Sequence, residues 1–432
     1  MKIQNHVAMI NRGKFVAVSF IYSAILTYIY LDEIVQHWSY MGFRGSFSFF
    51  GLALSFASVL VLSTACPLKN STRAYIFITM MFFAFIPSII FFSYANSSGF
   101  HAFVFYTALA IVFLFSYIEI NLPYIGVSNQ GIYMYTIVAI VMIALIAQAA
   151  FGGLENFNLD IEKVYDFRRE SAIRMPPIFA YVYSNVSSTL IPTLVVMAIK
   201  LKRYDLLALS LIMTIFMFGM SHHKSVLFGP IFVAMLYLLF SIPILRSYIF
   251  WAFMAIPILS LMEIAYVRAN SDGVDFAYAT SLIIRRVLFV PGMADGAYIE
   301  FFSQNVKYYW SYSSILSWAI DSPYNMPPPF VIGFEYFADL DTSANTGIIG
   351  SGFANAGLLG VTLYAMITGL LISIFNYYGE KIDRAVVAAI SLTTVFNIFT
   401  STDLLTAFLT HGLLLLIVLL ALYPREQSLV VK

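Results

Sequence analysis

Apolar runs of about twenty residues recur along nearly the whole chain. They lie near 15–31, 47–65, 74–94, 101–118, 131–151, 178–199, 204–220, 225–243, 247–265, 347–375, 384–400 and 404–422. A helix of that length crosses the ~30 Å hydrocarbon layer of a bilayer. Within that layer a helix satisfies its own backbone polar groups. Charged residues make up only 10% of the 432, against about 25% in soluble domains. So few cannot cover a soluble body of this size, and lipid must replace water over most of the surface. The expected fold is all-α: a polytopic membrane helix bundle of about 12 transmembrane helices, one integral membrane domain over 1–432. The 347–375 run is long for one crossing and is expected to tilt or kink at its glycines. The first run follows Lys14 with no small-residue cleavage site behind it, and reads as an uncleaved first span.

Basic residues set the orientation. With the N-terminus in the cytoplasm, the inner connections carry Lys69, Arg73, Lys200, Lys202, Arg203, Arg246, Lys381 and Arg384. The short outer ones carry only Arg44 and Lys224. Both termini then lie in the cytoplasm, and two long segments, 152–177 and 266–346, lie outside as loops. The net charge of +1 excludes a nucleic-acid binder. A lone cysteine, Cys66, excludes an internal disulfide and a cysteine metal site.

The long outer segments carry more arginine than a helix bundle needs for folding. Arg168 and Arg169 sit in VYDFRRE with Arg174 close behind, and Arg285 and Arg286 sit in LIIRRVLFVPG. Guanidinium forks bind phosphate oxygens bidentately. Apolar flanks place the second pair on a short helix at the membrane face, where it suits a lipid-linked diphosphate. The alternative is headgroup anchoring, or ion pairs with Asp166, Glu170 or Asp275.

The SHHKSVLFGP segment, 221–230, forms a tight turn between two runs. His222 or His223 there has the pKa range of a general base, and Lys224 offers a point charge to a phosphate. A plain solvated turn explains the same residues. Adjacent histidines do not share a helix face, so no metal site is expected. His411 lies inside the last apolar run, where an ionisable group marks either function or a bond to a neighbouring carbonyl. Asp403 reads as an N-cap. Glu263 reads as a base or as the partner of Arg268. The aromatics from Tyr298 to Trp318 suit sugar stacking, and equally an interfacial belt. In NTGIIGSGFANAGLLG the glycines allow close helix approach, while Asn345 and Asn355 offer hydrogen bonds to a polar substrate.

Together these stretches resemble the bacterial O-antigen polymerase family, the Wzy-type oligosaccharide repeat-unit polymerases. The resemblance rests on VYDFRRE at 164–170, SHHKSVLFGP at 221–230, RRVLFVPG at 285–292, GFEYFADLDTSANTGIIGSGFANAGLLG at 333–360 and STDLLTAFLTHG at 401–412. It covers most of the chain from about residue 150. It implies a multi-pass protein of the bacterial inner membrane and an undecaprenyl-diphosphate-linked oligosaccharide as substrate. It also implies the lipid bilayer and a chain-length regulator as partners, with no cofactor. The growing glycan would leave its lipid diphosphate and join the next lipid-linked repeat unit, building O-antigen or capsule-type polysaccharide. Arg168, Arg169, Arg174, Arg285, Arg286 and Lys224 would stabilise the diphosphate charge, and His222, His223 or His411 would take the acceptor proton. An O-antigen ligase shares these features. A flippase or transporter of lipid-linked sugars shares the span number.

Overall fold

The computed structural model describes residues 11–95, 99–155, 157–160, 176–270, 276–313 and 316–425. Among them the secondary structure is helical, with no strand. The helices are α1 (Arg12–Met41), α2 (Phe49–Ala65), α3 (Thr72–Tyr94), α4 (Gly99–Phe115), α5 (Gln130–Gly153), α6 (177–200), α7 (Tyr204–Ser221), α8 (Lys224–Ser241), α9 (Ile249–Asn270), α10 (278–304), α11 (Pro328–Phe337), α12 (Ile348–Lys381), α13 (Arg384–Thr400), α14 (Leu404–Leu409) and α15 (Leu413–Leu422). Eight are long and apolar enough to cross a membrane, and α2, α4, α13 and α15 are shorter apolar helices.

The chain forms two compact units. The first comprises Met1–Glu119, Ser247–Ser373 and Phe396–Leu404; the second comprises Ile120–Arg246, Ile374–Val395 and Leu405–Lys432. In the first, α2, α3 and α9 pack on α1, and α10 lies on the second half of α3. α3 is apolar all round and almost wholly buried, the pattern of a central helix. In the second, α6 packs against α7, α8 and α5.

Five π-helical turns interrupt these helices among the described residues: 30–34, 81–85, 149–153, 186–190 and 281–289. Three are followed two residues later by proline: Pro87, Pro192 and Pro291. A proline ring clashes with the carbonyl four residues back and offers it no donor. Widening the turn moves that carbonyl aside. In the widened turn the carbonyl five residues back is the one the proline leaves without a donor, and for Pro87 the Tyr22 hydroxyl supplies it, donating to the Phe82 carbonyl at 2.8 Å. Pro230 and Pro257 sit inside α8 and α9 without such a turn, so proline permits the widening without dictating it.

The expected kink in α12 falls at Ala356 and Gly357, where φ/ψ of −150/30 and 58/−140 break the helix. Residues 348–355 form a half-helix that folds back on the rest. A Cβ at Gly360 would overlap the Gly352 carbonyl, although eight residues of straight helix would separate them by about 12 Å.

The described residues of 266–346, expected as a long loop carrying a short helix, include three helical stretches. α9 continues to Asn270, and α10 and α11 follow. α10 escapes a hydropathy search because Arg285, Arg286, Asp295 and Glu300 interrupt it. Its other face is buried through Ile284, Leu288, Ala294, Tyr298 and Phe302.

Candidate functional site

In the first unit the arginine pair is built from the start of α10 upward. The Glu263 carboxylate, from α9, accepts from the Ala279 N–H at 2.7 Å, the Thr280 N–H at 2.6 Å and the Thr280 hydroxyl at 2.7 Å. It therefore caps the first turn of α10. The expected Glu263–Arg268 pair does not form. Positions five apart lie on different faces of a helix, and Arg268 instead bridges Asp32 at 2.7 Å and Glu33 at 3.1 Å.

From this capped start the π turn 281–289 carries Arg285 and Arg286 side by side, Arg285 half-buried and Arg286 exposed. Arg285 Nε donates to Ser281 Oγ at 3.0 Å, and Nη1 lies 3.3 Å from Met41 Sδ. The guanidinium carbon is 5.1 Å from the Trp38 ring centroid, within cation–π range. Among the described residues no carboxylate lies within 4.0 Å of it. Burial, and then the like charge of Arg286, push the Arg285 pKa down, with Tyr40 opposing. The positive charge is held in a partly dry site beside another cation. An arriving anion relieves both penalties.

Further along α10 stands a group the sequence reading passed over. Asp295 is 2% exposed. Its Oδ1 accepts from the Thr346 hydroxyl at 2.6 Å and the Gly350 N–H at 2.9 Å, so a carboxylate from one element caps the half-helix of another. Burial pushes its pKa up to about 7 against these two hydrogen bonds. A raised acid pKa means the folded state holds a proton that the unfolded chain releases, so the stability from this group is full below about pH 4 and is lost as pH rises through about 7. Asp295→Asn keeps an oxygen acceptor for both donors and removes the titration. Thermal melts of the purified protein from pH 5 to 8 should fall for the wild type and stay flat for Asp295→Asn. Equal slopes would refute the assignment. The only sequence signal was a lone aspartate in an apolar, glycine-flanked stretch, VPGMADGAY.

Asn355, expected to face a substrate, is committed within the protein. Its Oδ1 accepts from the Trp310 N–H at 3.0 Å, and its Nδ2 donates to the Ser351 carbonyl at 2.9 Å. Asp403 stands immediately before α14 and also accepts from the Tyr364 hydroxyl at 2.8 Å.

In the second unit α7 ends at Ser221 and α8 begins at Lys224, leaving the expected two-residue turn. His222 takes the left-handed position that glycine usually fills at a helix end, with φ 59, and its N–H donates to Phe218 O at 2.8 Å. Its side chain is fully buried, whereas His223 and Lys224 are half-exposed. Of the two histidines, His223 is the one a substrate can reach in this conformation.

His411 does not sit inside a continuous last helix. The helix breaks at 410–412, with Gly412 at φ 77. The carbonyls released at the break are met by α6: Asn185 Nδ2 donates to Leu409 O at 3.0 Å, Ser188 Oγ to His411 O at 3.2 Å and Thr189 Oγ1 to Gly412 O at 3.4 Å. Ser188 and Thr189 belong to the π turn 186–190, so two irregular stretches complete each other. Non-helical backbone at membrane depth is tolerated only where protein satisfies it in this way.

Arg168, Arg169 and Arg174, with Asp166, Glu170 and Asp275, lie outside the described residues. The remaining site residues fall in separate units, Arg285 and Arg286 in the first and His222, His223, Lys224 and His411 in the second. Among the described residues no three His, Cys, Asp or Glu side chains gather as metal ligands. Compared with known protein families, with curated proteins and with solved structures, the chain matches none.

Proposed function

We propose that this membrane protein polymerises lipid-diphosphate-linked oligosaccharide repeat units on the periplasmic face of the bacterial inner membrane, both termini being cytoplasmic. The observation that carries the reading is Arg285: a half-buried guanidinium beside Arg286, fixed by Ser281 and Trp38, with no carboxylate of the described residues to neutralise it. The leaving group of such a transfer is a diphosphate. Negative charge develops on its oxygens as the glycosidic bond breaks, and fixed cations stabilise that charge without reorganising. Inversion at the anomeric carbon follows from a single in-line displacement, and the acceptor hydroxyl must lose its proton to a base.

The test is reconstitution. Purified protein mixed with lipid-linked repeat units in detergent should give a ladder of longer glycans. Competent substrate without a ladder would exclude polymerisation and favour transport of the same lipid. The broken helix at His411 is the observation that favours transport, since discontinuous helices carry the sites of many transporters.

The second unit supplies its own test. If His223 is the base, His223→Ala should lower turnover by about 100-fold or more, with the bell-shaped pH profile losing its acid limb. Unchanged turnover would remove it.

A further inference from the structure

Backbone strain gathers at one place in the first unit. Among the described residues five non-glycine positions have positive φ, and two of them are consecutive: Tyr309 at 49° and Trp310 at 60°. The left-handed region costs a bulky residue on the order of 1 kcal/mol or more, so a pair persists only where the surroundings impose it. Here they do. The N–H groups of Tyr308 and Tyr309 donate to the Ala354 and Asn355 carbonyls at 2.9 Å each, closing the last turn of the half-helix. Trp310 is tied through its N–H to Asn355 Oδ1 and through its Nε1 to the Tyr364 hydroxyl at 2.9 Å. Tyr308 is buried, its hydroxyl donating to Met326 O at 2.7 Å and its ring 4.8 Å from Tyr324.

Two of these three aromatics are therefore anchors, and the one between them is turned out. Tyr309 is 52% exposed, and among the described residues its side chain makes neither a hydrogen bond nor a ring contact. Tyr312 is 43% exposed, with its ring edge-on to Tyr308 at 6.2 Å and 85°.

We propose that Tyr309 and Tyr312 form a carbohydrate-stacking ledge that holds the growing glycan at sugars remote from the reacting diphosphate. A pyranose presents a C–H face and a hydroxyl rim. A tyrosine answers with a flat apolar ring and a polar tip, and with its backbone held has only two side-chain torsions left to order. A membrane-interface belt asks only that a ring sit at the right depth. It does not explain two strained residues pinned by three hydrogen bonds. The distance supports a remote subsite: 286 to 302 is 16 residues of helix, about 24 Å, and the Tyr308 ring beside the ledge lies 5.7 Å from that of Phe302. A sugar attached to a diphosphate at the arginines cannot reach it, but a chain of several sugars can. The words "growing glycan" rest on the function proposed above; the ledge itself does not.

The test uses the whole protein in nanodiscs and two probes. One is the free oligosaccharide released by mild acid from lipid-linked repeat units; the other is the intact lipid-linked unit. Tyr309→Ala and Tyr309→Gly should each weaken binding of the free oligosaccharide about tenfold or more. Tyr309→Phe should stay within about twofold, because the ring is kept. Glycine is at ease at positive φ, so Tyr309→Gly separates loss of the ring from loss of the fold. Arg285→Ala should leave free-oligosaccharide binding unchanged. In the elongation assay Tyr309→Gly should shorten the chains while the first condensation keeps its rate. The ledge is overturned if the wild type does not bind the free oligosaccharide, if Tyr309→Gly binds it as well as wild type, or if Tyr309→Phe loses it too. It is likewise overturned if the Tyr309 variants only weaken retention in the bilayer, which assigns the ring to the lipid interface. A wild type that binds through Tyr309 yet makes no polymer defeats the proposed function and leaves the ledge standing.

Discussion

Arg285→Ala is expected to abolish glycan elongation, lowering turnover by about 100-fold or more, while leaving the protein as heat-stable as the wild type or more so. The two halves of that expectation have one cause. The described surroundings of Arg285 are a hydroxyl, a thioether, an indole and a second guanidinium. Removing the charge breaks no ion pair and removes a like-charge repulsion. Stability loses one hydrogen bond and one cation–π contact, set against the burial and like-charge penalties that are relieved, whereas a bound diphosphate loses the fixed charge outright. Arg268→Ala is the contrast. It takes from the buried Glu33, which is 3% exposed, its guanidinium partner and leaves, among the described residues, only His37 Nδ1 and the Ala277 N–H, each at 3.5 Å, and a buried carboxylate so weakly compensated destabilises. Turnover and melting temperature measured on both variants separate the roles. Normal chain length in both Arg285→Ala and Arg286→Ala would end the diphosphate-binding hypothesis.

The largest expected loss of stability comes from a single methyl group. A Cβ at Gly347 would overlap the carbonyl of Phe399 and crowd that of Ile398. These are backbone atoms of α13, so no side chain can swing aside. The only relief is to part the start of the half-helix from α13, and with it the Thr346 and Gly350 donors that Asp295 accepts from. Gly347→Ala should cost on the order of 3 kcal/mol or more, seen as a sharp fall in melting temperature and in folded yield. Gly99→Ala, at the start of α4, is the control. Beyond its chain neighbours nothing lies within 4 Å of a Cβ there, and alanine is no worse a helix former than glycine. A Gly347→Ala protein that melts with Gly99→Ala would show that the close approach does not exist.

The spanning helices were legible because lipid exposure writes itself into composition. Each apolar run but the last coincides with one helix, the 404–422 run being divided between α14 and α15, and the glycines of NTGIIGSGFANAGLLG do mark a kink and a close approach. α10 was legible only as a short helix around Arg285 and Arg286; its length was hidden because the Asp295 carboxylate is satisfied by residues distant in sequence, Thr346 and Gly350. Hydropathy counts such a group as exposed. The break at His411 was hidden for the same reason, since its carbonyl partners sit more than 220 residues earlier, on α6. Arg285 and Arg286 were readable as residue types. That Arg285 is boxed by Trp38 and Met41 was not, because nothing local ties the end of α1 to α10. The fate of Glu263 turned on geometry alone: a neighbour five residues away is within reach in sequence but not on the same helix face.

The π turn under Arg285 and Arg286 also sets their phase. A π turn holds one residue more than an α turn needs, so it acts as a single-residue insertion absorbed without breaking the helix. Deleting one residue between Arg286 and Pro291 would remove that extra residue and rotate the arginines by about 100° against everything from Pro291 onward. The direction in which this pair faces is thus encoded in the length of the segment rather than in the identity of any side chain, and an intact arginine pair one residue out of step would point elsewhere.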